Sequence, residues 1–61
     1  MKPAFEDVHG SLIILSDTGL CWPPTVSVTD EGTTIHVSLV KGTETHFDFD
    51  RDDKLVAVRE D

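Results

Sequence analysis

The stretch that decides the fold runs from Thr25 to Glu60 and reads TVSVTDEGTTIHVSLVKGTETHFDFDRDDKLVAVRE. Apolar and polar residues alternate along it with a period of two, and β-branched residues are frequent, which is typical of strands with one buried face. The turn-forming clusters DEGT, VKGT and DRDD divide the stretch. The sequence therefore predicts four strands here, connected as an antiparallel meander.

A fifth strand is predicted upstream, from the short continuous apolar run SLIIL at residues 11–15. Such a run is consistent with a strand that is buried on both faces. Gly19 and the Pro23-Pro24 pair then interrupt the chain before the meander begins. No segment has a convincing helical pattern, so the sequence predicts an all-β, five-stranded domain.

The turns predict which residues lie opposite one another, because alternate side chains of a strand point to opposite faces. A two-residue turn at Glu31-Gly32 would place Val28 opposite Ile35. A three-residue loop, Val40 to Gly42, would place Ile35 opposite Phe47 and His36 opposite His46, with Gly42 at a positive φ. One face then receives only apolar residues from the first three strands of the meander, namely Val26, Val28, Ile35, Val37, Leu39, Phe47 and Phe49.

An apolar sheet face must be covered, and an all-β chain offers two ways to cover it. The meander can curl into a small, partly open barrel, closed with the help of Leu12, Ile14, Val56 and Val58. Alternatively, two chains can stack their apolar faces as a homodimer. We favour the barrel, which is similar in size and strand number to SH3-like barrels.

Composition limits the class of protein and the class of partner. The 61 residues form one small β domain, 1–61, with a formal net charge of −7, which repels nucleic-acid phosphates and anionic membranes. A larger basic protein would be attracted instead. Cys21 is the only cysteine, and the first ten residues do not resemble a signal peptide, so we expect a cytoplasmic protein.

Two patterns raise the possibility of a metal site. Asp48, Asp50 and Asp52 have the spacing with which an EF-hand calcium loop begins, but the loop's sixth and twelfth positions hold Asp53 and Arg59 instead of Gly and Glu. We therefore interpret these aspartates as an acidic turn. The other pattern is His36 opposite His46, which could share a cation with Asp48 or Glu44 as third ligand, although no zinc-site spacing supports it. The sequence predicts no cofactor.

No set of residues predicts catalysis. Cys21 lies between Leu20 and Trp22, which indicates a buried and inert thiol, and there is no Gly-rich phosphate loop. We expect a non-enzymatic acidic binding protein that docks on a larger basic protein, such as one that handles nucleic acid, and inhibits or regulates it, as a phage-type inhibitor would. The residues expected to contact the partner are Asp48, Asp50, Asp52, Asp53 and Trp22. The alternatives are a self-associating structural or assembly module and a His-based metal-binding domain.

Overall fold

A computed structural model describes residues 4–61, so Met1 to Pro3, which the single-domain prediction also includes, lie outside the described residues. One helix, α1 (Ala4–Asp17), is followed by four strands, β1 (Thr25–Thr29), β2 (Gly32–Ser38), β3 (Glu44–Asp50) and β4 (Leu55–Glu60). The strands form one antiparallel sheet in the order β1-β2-β3-β4. The predicted meander from Thr25 to Glu60 is confirmed.

The prediction of a fifth strand at residues 11–15 is wrong, because this run is the second half of α1. Phe5, Val8, Leu12 and Leu15 follow one another at spacings of three and four residues, which places them on one side of a helix. Glu6 and Asp7 occupy the first turn, where carboxylates interact favourably with the helix dipole. The apolar run SLIIL is the end of this longer helical pattern.

The helix ends in a Schellman motif, which the sequence reading also missed. The N–H of Leu20 donates to the carbonyl of Leu15 at 3.2 Å, and the N–H of Gly19 donates to that of Ser16 at 3.1 Å. Gly19 has a φ of 84°, a conformation that glycine adopts without a steric penalty. Gly19 therefore ends a helix, and does not separate two strands as the sequence predicts.

The sheet does not close into a barrel, because α1 covers the middle of its apolar face. The buried core combines Leu12 of the helix with Ile35, Val37 and Phe49 of β2 and β3, and with Cys21 from the connection between helix and sheet. The ring of Phe5 meets that of Phe49 edge-on, with centroids 5.7 Å apart. The expectation that the chain has no helix to cover this face is thus wrong. Because the helix covers it, the sheet does not need to close into a barrel.

One of the two predicted registers is confirmed. Ile35 pairs with Phe47 and His36 with His46 across the loop Val40 to Gly42, in which Gly42 has a φ of 96°. The other register is displaced by two residues, because the two-residue turn is Asp30-Glu31 and Ile35 pairs with Val26 instead of Val28. A shift of two keeps every side chain on its predicted face.

A single helix is too narrow to cover four strands. A helix with its side chains is about 10 Å wide, whereas the outer strands of a four-stranded sheet are about 14 Å apart. The apolar side chains of the edge strands consequently remain exposed, to 43% for Val26, 79% for Val28 and 52% for Val58. Both edges of the domain therefore present apolar side chains to solvent.

Candidate interaction surface

Five acidic residues lie in the two turns at one end of the sheet. In a meander the first and third turns lie at the same end, so the β1–β2 turn lies near the β3–β4 turn. Asp30 and Glu31 come from the first of these turns, and Asp50, Asp52 and Asp53 from the other. Residues of both turns line one open depression, among them Asp30, Asp50 and Asp53. We call these five residues the acidic end.

Asp30 and Glu31 were not among the predicted contact residues. They are about 20 positions away from Asp50 in the sequence, and only the folded sheet brings the two turns together. The predicted topology is sufficient to include Asp30 and Glu31, because alternate turns of any antiparallel meander lie at the same end of the sheet. The acidic end is therefore larger than the aspartate run alone indicates.

Asp50 shapes the β3–β4 turn. One of its carboxylate oxygens accepts the backbone N–H groups of Asp52 and Lys54, each at 2.9 Å. Asp53 follows with a φ of 65°, a left-handed conformation that Asp and Asn tolerate better than most residues. Charge and turn geometry are thus combined in the same residues.

Asp48 is bound by its neighbours on the outer face of the sheet. The guanidinium of Arg59 donates to both of its carboxylate oxygens, at 2.7 and 2.9 Å, and the hydroxyl of Thr34 donates at 2.9 Å. The hydrogen bonds from Arg59 and Thr34 lower the pKa of Asp48 below its ordinary 3.8, and the same ion pair raises the pKa of Arg59. Asp48 therefore belongs to a cross-strand ion pair. Of the four aspartates predicted to contact the partner, Asp52 is exposed and the other three are half-buried.

The two histidines lie where the sequence predicted them. The rings of His36 and His46 stack with centroids 4.5 Å apart and an angle of 7° between their planes. The Nε2 atom of His36 is 3.7 Å from the carboxylate of Glu44. Of the two candidate third ligands, Glu44 is the one beside His36, whereas Asp48 is bound by Arg59 and Thr34. Among residues 4–61 no group of three or more His, Cys, Asp or Glu side chains has the arrangement of a metal site.

Trp22 lies at the end of the sheet opposite to the acidic end. Its N–H donates to the carbonyl of Ser38, at the far end of β2 from Gly32, which is about 20 Å along the strand. Its side chain is 62% exposed. One molecule therefore cannot present Trp22 and the acidic end as a single compact patch.

Cys21, the residue before Trp22, is buried as predicted, with an exposure of 4%. Its thiol lies 3.8 Å from the carbonyl oxygen of Leu12. The thiol is thus part of the contact between helix and sheet.

The described part of the chain contains no helix with the length and apolar character that crossing a bilayer requires. Comparisons of the chain with protein-family models, with curated proteins and with solved structures found no match.

Proposed function

We propose that this chain is a non-catalytic binding protein whose acidic end docks on a basic surface of a larger protein and thereby inhibits or regulates it. The observation that supports the proposal is the convergence of two acidic turns, with five carboxylates against the two cations Arg51 and Lys54. Charges grouped in this way attract an oppositely charged surface over distances of about 10 Å at moderate salt.

The geometry of the turns supports docking through these residues. The carboxylate of Asp50 accepts two backbone N–H groups, so the loop that carries Asp52 and Asp53 is ordered before any partner arrives. A preordered loop loses less conformational entropy on binding than a mobile one. The acidic end can therefore supply both attraction and a defined shape.

The proposed role is inhibition or regulation of the partner through binding. The only thiol is buried between helix and sheet, and Asp48 is neutralised by Arg59, which leaves binding by charge and shape as the chemistry that the described residues favour. A small acidic domain of this type suits a phage-type inhibitor acting in the cytoplasm on a basic, nucleic-acid-handling protein. Such a partner carries the positive surface that the acidic end would cover.

Affinity capture from the native host tests the proposal. The tagged protein should retain a basic protein at about 50 mM salt and lose it at about 500 mM, because the added ions screen the charges. The double variant Glu31→Lys with Asp52→Lys should capture much less of it. Both side chains are exposed and form no hydrogen bond with another described residue, so the fold should be unaffected.

A matched control is available at the opposite end of the sheet. Glu60→Lys with Asp61→Lys makes the same change in net charge at two exposed residues, away from the acidic end. This control should still capture the partner. Equal losses in the two double variants would contradict docking through the acidic end, and capture of no basic protein by the wild type would contradict the function itself.

A further inference from the structure

Strand β1 is an edge strand without the usual protection against pairing. Natural sheets protect exposed edges with charged residues, prolines or bulges. The opposite edge, β4, has Arg59 and Glu60 and a bulge in its pairing with β3. The five residues of β1 read TVSVT, carry no charge, and are exposed along their whole length. In a chain of net charge −7, this edge is a neutral and accessible strand.

The backbone of β1 has two residues whose hydrogen-bonding groups face outward. Thr29 pairs with Gly32 across the two-residue turn, and the pair that flanks such a turn exchanges both of its hydrogen bonds. The pairs of Ser27 and Thr25 with β2 are then of the same kind, because bonded and non-bonded pairs alternate. Val26 and Val28 therefore direct their N–H and C=O groups toward the open edge.

The sequence of β1 is the same read in either direction. We propose that β1 pairs antiparallel with β1 of a second copy of this chain, about a two-fold axis at Ser27. Val26 then faces Val28 of the second copy, and Val28 faces its Val26. These are the residues whose backbone groups point outward, so the pairing forms four hydrogen bonds and joins the two sheets into one of eight strands. The pairing does not depend on the docking of a basic partner.

The side chains suit this arrangement as well as the backbone does. Residues that lie opposite each other in an antiparallel pair share a face of the sheet, so the four valines form one apolar strip on the face that carries both α1 helices. In a single copy Val26 is 43% exposed and Val28 is 79% exposed, and the pairing covers part of both side chains. In this register Asp30 lies opposite Pro24 of the second copy, so the acidic turns of the two copies are at opposite ends of the contact. Charge repulsion is thereby kept low at the contact.

Cysteine cross-linking tests the register. Ser27 would lie opposite Ser27 of the second copy as a non-hydrogen-bonded pair, with Cα atoms about 4.5 Å apart, within the range of a disulfide. The variant Ser27→Cys should therefore form a disulfide-linked dimer under mild oxidation. Thr25→Cys is the matched control, since its two copies would be about 14 Å apart, too far for a disulfide. Equal cross-linking of the two variants would overturn the proposed register.

A second measurement does not depend on oxidation. Sedimentation over micromolar to millimolar concentrations should show a dimer whose dissociation constant falls as salt is added, because both copies are acidic. The variant Ser27→Lys would place two ammonium groups directly opposite each other and should be monomeric, even though it lowers the net negative charge. A wild type that stays monomeric throughout, or a dimer that Ser27→Lys leaves intact, would overturn the proposal.

Discussion

Individual glycines in this chain have opposite structural requirements. Gly32 has a φ of 150°, and a Cβ atom there would overlap the carbonyl oxygen of Phe49 on the neighbouring strand. Gly10 lies within α1, and a Cβ atom built on it meets nothing within 4 Å. Position 32 requires glycine because the neighbouring backbone lies so close. At position 10, by contrast, glycine makes the helix less stable than alanine would.

We expect these two glycines to respond in opposite directions to alanine. Gly32→Ala should lower the free energy of unfolding by about 3 kcal/mol, because the sheet backbone must move to admit the methyl group. Gly10→Ala should raise it by about 0.5–1 kcal/mol through better helix propensity. Urea denaturation followed by circular dichroism measures both. Unchanged stability of Gly32→Ala would contradict the close approach of β2 and β3 at this point.

The ion pair of Asp48 predicts an acid-sensitive contribution to stability. Its pKa is lowered in the folded state by hydrogen bonds from Arg59 and Thr34. A carboxyl with a lowered folded-state pKa stabilises the fold fully above its unfolded value, near 3.8, and this contribution is lost as pH falls through the folded value. Asp48→Asn should therefore be less stable than the wild type at neutral pH, and the difference should shrink below pH 4.

Denaturation at several pH values measures that convergence, with Asp52→Asn as the control. Asp52 is exposed and forms no side-chain hydrogen bond with another described residue, so its substitution should leave the pH dependence close to that of the wild type. A constant difference between Asp48→Asn and the wild type from pH 7 down to pH 2 would contradict the assignment.

At the scale of elements, α1 stabilises the domain by covering β2 and β3. Leu12 is 7% exposed and lies in the core, whereas Ile14, two residues later, is 66% exposed. Leu12→Ala should cost about 2–5 kcal/mol, because it removes buried methyl groups and leaves a cavity. Ile14→Ala should change stability by less than about 0.5 kcal/mol, as is usual at exposed positions.

Chemical denaturation of the two variants distinguishes a docked helix from a loosely attached one. If both substitutions had similar small effects, α1 would not contribute to the core, and the apolar face of the sheet would need another cover. The stacking of two sheets in a homodimer would then become the better account of that face.

At the scale of the whole molecule, the acidic end should destabilise the fold. Five carboxylates repel one another near the two turns, and salt screens that repulsion. The melting temperature of Glu31→Lys with Asp52→Lys should therefore exceed that of the wild type at low salt, and the gap should narrow as salt is added. Differential scanning calorimetry measures it. A melting temperature that is unchanged or lower at low salt would mean that the five carboxylates do not strain the fold.

The sequence by itself determined the meander, the β2–β3 register and the burial of Cys21. Strand periodicity is a local property, and a three-residue loop with a positive-φ glycine leaves little freedom for the pairing that follows. Both are visible in the order of residues alone. The same loop places His36 opposite His46.

The tertiary structure alone decided the state of residues 11–15, the β1–β2 register and the partners of the acidic residues. A short apolar run fits a buried strand or a helix, and here the open face of the sheet stabilises the helix. Alternation fixes a strand's faces but permits slips of two, and the observed pairing follows from a two-residue turn at Asp30-Glu31 instead of Glu31-Gly32. Arg59 pairs with Asp48 because β3 and β4 are neighbours in the folded sheet. Asp30 and Asp50 line the same depression because the sheet places their two turns at one end.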